Sequence, residues 1–181
     1  MSLDFAVAIR RLNRGIALVA GVVLAACVLV IIADIVLRKF GVSLGGSDEI
    51  SGYVMAVTTA WGMSFALSEF AHIRIDAIQS RLPATGRTIF DCLSGIALAA
   101  TAVTIAFQCW PVLAKTIHAG SRANTPLSTP LWIPQSIWFS GWVWFAVSSC
   151  LLAMANLLWL ARRGFKPGDN LASACRGVDS K

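Results

Sequence analysis

Four long apolar blocks constrain this chain more than any single residue does. Residues 16–37, 50–71, 89–114 and 131–161 are uninterrupted by formal charge except at Asp34, Glu69 and Asp91. A helix rising about 1.5 Å per residue needs roughly 20 apolar residues to cross a hydrocarbon layer about 30 Å thick. Each block is long enough for one crossing. The fourth, at 31 residues, exceeds one span, so its first turns lie in the interface or the helix tilts. Composition agrees: 57% of the 181 residues are hydrophobic and 13% charged, whereas a soluble domain is about a quarter charged. Mean hydropathy is +0.72. The expected fold is therefore an all-α integral membrane protein with four transmembrane helices. The segments between blocks, 38–49, 72–88 and 115–130, are too short for a soluble domain. The chain divides into a lead-in over 1–14, a transmembrane domain over 15–162 and a tail over 163–181 that is expected to be disordered.

Lysine and arginine set the orientation. Arg10, Arg11 and Arg14 precede the first block, Arg74, Arg81 and Arg87 lie in the second loop, and Arg162, Arg163, Lys166, Arg176 and Lys181 follow the last block. Those eleven share one side; only Arg38, Lys39, Lys115 and Arg122 fall on the other. The positive-inside rule places both termini in the cytoplasm. The net charge of +6 is then a membrane-anchoring feature, and no basic run interleaved with aromatics points to nucleic acid. Trp110, Trp132 and Trp138 fit an outer interfacial belt and Trp159 an inner one; Trp142 and Trp144 lie too deep for either.

The first block contains Leu24-Ala25-Ala26-Cys27, which imitates a lipoprotein cleavage box, but the apolar run continues past it and reads as an uncleaved anchor. Ahead of it, Phe5, Ile9, Leu12 and Ile16 share one helical face, with Arg10, Arg11 and Arg14 mostly off it. This predicts a short amphipathic helix in the cytoplasmic interface.

Chemistry-bearing clusters are sparse. His72 and His118 fall on opposite sides of the membrane, which excludes a bis-histidine haem. Cys27, Cys92, Cys109, Cys150 and Cys175 have no metal-ligand spacing. Nucleophile–base pairs and phosphate-binding loops are missing too, so neither an enzyme nor a bound cofactor is expected. Asp34 and Arg38, four residues apart, predict a local ion pair. No carboxylate stands at mid-membrane, and no Gly/Pro-broken helix pair suggests a substrate site. Gly52, Ala56, Ala60, Ser64 and Ser68 recur every four residues. They form a strip on which a helix can pack closely, within the bundle or on a partner. Asp48 and Glu49 open the second block, favourable at a helix N-terminus. At its other end Glu69, His72, Arg74 and Asp76 form a polar run.

Taken in order, Asp34, Arg38, Gly41, Glu49, Trp61, Phe65, then 72–76 (HIRID), Leu82-Pro83 and the stretch 125–134 (TPLSTPLWIP) resemble the small membrane subunit of a TRAP transporter, the DctQ-like component of the tripartite ATP-independent periplasmic system. The resemblance covers roughly residues 15–160; it departs where Leu44-Gly45-Gly46 replaces an expected tryptophan. It implies a bacterial inner-membrane scaffold for a large transport subunit and a docking surface for a periplasmic binding protein, within sodium-driven uptake of organic acids. On that view Arg38, Asp48 and Glu49 are docking candidates, 52–68 is a packing strip, and Glu69, His72, Arg74 and Asp76 form a cytoplasmic structural element. The rival expectation is a small homo-oligomeric transporter or channel that acts without partners.

Overall fold

The computed structural model describes residues 2–42, 45–68, 84–125 and 127–163. Within them the chain forms four helices and no strand: α1 (Ser2–Lys39), α2 (Ser47–Ser68), α3 (Ala84–Ala119) and α4 (Trp132–Arg163). All four are long and apolar enough to cross a membrane. The run Glu69, His72, Arg74 and Asp76 lies outside the described residues, as does the tail.

α1 runs unbroken for 38 residues, about 57 Å, through the segment expected to lie flat in the interface. That exceeds a hydrocarbon layer of about 30 Å, so several turns of α1 stand outside it or the helix tilts. Its end is fixed by Gly41, at φ +81°. There the Val42 N–H reaches the Leu37 carbonyl (3.1 Å) and the Gly41 N–H the Arg38 carbonyl (3.1 Å). This paired closure needs a left-handed residue, which glycine adopts without strain. Gly120, at φ +56°, ends α3 in the same way, with Ser121 bonded back to Thr116. Asp48 and Glu49 stand in the first turn of α2, and the helix continues through Pro111 in α3.

The helices pack in the order α1, α2, α4, α3, with a lesser contact between α1 and α4. The bundle is thus a slab with α2 and α4 in the middle. α2 and α4 run in parallel, because each follows an ascending partner. Loops 40–46 and 120–131 meet at one end, here the loop end; the start of α1 and the end of α4 belong to the other, here the terminal end. The core is small: Leu67 from α2, Ala102 from α3, and Phe145 and Ala146 from α4, with Leu98 and Trp142 against it. Large apolar residues along the outer helices, such as Leu18, Leu29, Leu93 and Phe107, are exposed. In water such a surface would aggregate; in lipid it is the ordinary exterior, and packing and hydrogen bonds hold helices together instead.

Candidate functional site

Two polar networks sit near opposite ends of this slab. At the loop end, Asp34 is buried one turn before the end of α1 (1% exposed). Its Oδ2 accepts from Arg38 Nη2 (2.7 Å) and Nε (2.9 Å), and from the hydroxyl of Ser47 (2.6 Å) at the start of α2. A lone buried carboxylate is costly to desolvate; an arginine fork and a hydroxyl offset that cost. The pair predicted from the four-residue spacing is therefore present, and Ser47 adds a link to the next helix. Arg38 also reaches Asp48 at 3.7 Å, and both of these side chains are exposed.

Glu49 is used differently. One carboxylate oxygen accepts from Tyr53 Oη (2.7 Å), one turn along α2, and the other from the hydroxyl of Thr125 in the α3–α4 loop. That loop folds on itself, with Ala123 N–H on Thr129 O (3.0 Å) and Leu131 N–H on Ser121 O (3.1 Å). It presses Leu127 against Gly46, which has φ +108°; a Cβ there would overlap the leucine side chain. Of the three docking candidates, Arg38 and Asp48 stand at the exposed surface. Glu49 is half-buried and ties the two loops together.

Towards the terminal end, Asn13 on α1 is wholly buried. Its Nδ2 donates to the Ser64 carbonyl (3.1 Å) and to Ser68 Oγ (2.5 Å), and its Oδ1 accepts from Trp144 Nε1 (2.8 Å). One amide thus joins α1, α2 and α4. Sequence reasoning missed it. The signals were an asparagine within a helical segment and a tryptophan too deep for an interfacial belt. The expected apolar face of the lead-in is correspondingly rotated: Ile9 and Asn13 are buried, whereas Leu12 is exposed. Lipid accepts a leucine as readily as a core does, so a satisfied amide decides which face turns inward.

The small-residue strip divides between these regions. Ala60, Ser64 and Ser68 are buried, while Gly52 and Ala56 are exposed. Gly141 on α4 meets the buried half: a Cβ there would lie 2.8 Å from Trp61 Cδ1 and 2.9 Å from Ala60 Cβ. Trp61 also donates from Nε1 to the Ile137 carbonyl (3.1 Å). Small side chains here let the α2 and α4 backbones approach, as the four-residue spacing requires. Trp142, the other deep tryptophan, stacks edge-on with Trp138 and Phe145 along α4.

Among the described residues no cluster of His, Cys, Asp or Glu could hold a metal ion, and Cys27, Cys92, Cys109 and Cys150 form no disulfide. Four spanning helices, a lipid-like exterior and polar groups engaged between helices define a multi-pass membrane protein. Residues 27–163 match the family described as tripartite ATP-independent periplasmic transporters, DctQ component. The chain belongs to that family and is the small membrane component of a TRAP transporter. No match was found among curated proteins or solved structures.

Proposed function

We propose that this chain is a scaffold for the large membrane subunit of its transporter and helps to seat a periplasmic substrate-binding protein, in a system driving sodium-coupled uptake of organic acids. The observation that carries the scaffold reading is Asp34. This buried carboxylate is paired with the Arg38 cation and accepts from the Ser47 hydroxyl at the loop end, so its charge is already compensated within the protein rather than kept for a travelling cation. A translocating or catalytic role has no comparable support. The matched family supplies the machine; the arrangement of charge supports the division of labour. The chain lies in the bacterial inner membrane with both termini cytoplasmic, as the lysine and arginine bias favours. The loop end then faces the periplasm, where exposed Arg38 and Asp48 meet the binding protein, and Glu49 holds the loops in shape. The exposed half of the strip, Gly52 and Ala56, faces the large subunit. Glu69, His72, Arg74 and Asp76 serve as a cytoplasmic structural element.

Co-expression with the large subunit tests this. The two should co-purify, and organic-acid flux into liposomes should need both plus the binding protein. Flux from this chain alone would overturn the scaffold reading. A reporter fused to the C-terminus should be active only in its cytoplasmic form.

A further inference from the structure

An apolar groove of about 580 Å³ runs between α1 and α2. Gly15, Val19 and Val23 form one wall, Val57 and Trp61 the other, and Arg11 stands at its terminal-end mouth. From Arg11 to Val23 is 12 residues of helix, about 18 Å. A single leaflet is about half of the 30 Å hydrocarbon layer, so the groove reaches from one interface to just past the midplane. An extended acyl chain can lie along it.

Two arginines stand at the mouth. Arg11 and Arg14 are exposed, and side chains on a helix lean towards its N-terminus, so Arg11 extends out of the groove towards the interface. An apolar slot one leaflet deep, ending in arginine, complements a phosphate on a hydrocarbon tail. We propose that this groove is a phospholipid site, holding an acyl chain between α1 and α2 with the lipid phosphate on Arg11. The site is separate from both polar networks and does not depend on the scaffold reading.

The test uses the full chain in nanodiscs of phosphatidylethanolamine and phosphatidylglycerol containing a phospholipid with a photoreactive acyl chain. Cross-links should concentrate on residues 15–23 and 57–61 rather than on Leu93, an equally exposed position on α3. Gly15→Phe fills the slot, and nothing in the protein lies within 4 Å of that Cβ, so the helix should fold while groove labelling is lost. Arg11→Gln should weaken retention of the phospholipid about tenfold, the loss of one charge-assisted contact, and leave retention of diacylglycerol unchanged. An unchanged unfolding midpoint certifies that each variant folds. Labelling spread evenly over α1 and α3, or unaffected by both substitutions, would mean ordinary boundary lipid and overturn the site. Loss of groove labelling when the large subunit is added would overturn it too, because a protein partner would then cover the slot.

Discussion

Replacing Asn13 with leucine keeps the side chain's branching and number of heavy atoms and removes three interhelical hydrogen bonds, to Ser64 O, to Ser68 Oγ and from Trp144 Nε1. In membrane proteins such bonds average about 0.6 kcal/mol each, so the expected loss is about 2 kcal/mol. The remaining groups can adjust. Ser68 Oγ already donates to the Ser64 carbonyl at 2.9 Å, and half-buried Trp144 is close enough to the surface to find another acceptor. The estimate therefore carries no added penalty for a stranded donor. Unfolding in mixed detergent micelles, followed by tryptophan fluorescence, measures it. A double-mutant cycle of Asn13→Leu with Trp144→Phe should return a coupling of about 0.6 kcal/mol. A leucine variant as stable as the parent, or a coupling of zero, would refute the reasoning. It would favour the simpler expectation that residues 1–14 lie on the membrane surface without engaging α2 or α4.

The close approach of α2 and α4 predicts that Gly141→Val, whose Cβ meets Trp61 and Ala60 within 3 Å, costs about 1–3 kcal/mol by the same assay. Gly52→Val, with nothing within 4 Å, should leave the isolated chain's stability unchanged and weaken co-purification with the large subunit. Arg38→Gln leaves the buried Asp34 carboxylate with the Ser47 hydroxyl but without its cation; the variant should unfold more easily by the same assay, by less than a fully buried pair would lose, because Arg38 is half exposed. Adding Asp34→Asn to it should restore part of that loss. Glu49→Gln weakens the bonds from Tyr53 and Thr125. It should speed amide exchange in loop 120–131, measured by hydrogen–deuterium exchange.

The spans were legible because lipid imposes a length and a composition that sequence displays directly. The Asp34–Arg38 pair was legible for a similar reason: four-residue spacing on a helix is local geometry. What the sequence hid was long-range partnership. Asn13 is separated from Ser68 by 55 residues and from Trp144 by 131. Nothing in the local pattern distinguishes an asparagine that meets them from one in headgroup water. Glu49 read as a helix-start carboxylate free for docking, because its contact with Thr125 spans 76 residues. The four-residue strip was visible as a strip, but which half is covered depends on where Gly141 crosses α2.

These contacts bear on how α1 stays attached. Hardly any of its most apolar stretch is buried, and lipid supplies no hydrophobic force to drive it onto α2. Among its described side chains the buried polar ones are Asn13 and Asp34, 21 positions apart, or about 32 Å along a helix. That is close to the thickness of the hydrocarbon layer, about 30 Å. The helix is thus clamped near both interfaces, with an open groove on α2 between the clamps. Clamps so far apart share no partner, so Asn13→Leu and Arg38→Gln should combine additively, to within about 0.5 kcal/mol. A combined loss much smaller than the sum would mean that opening either clamp already frees the whole helix. α1 would then have to be treated as one cooperative unit hinged on its short connection to α2.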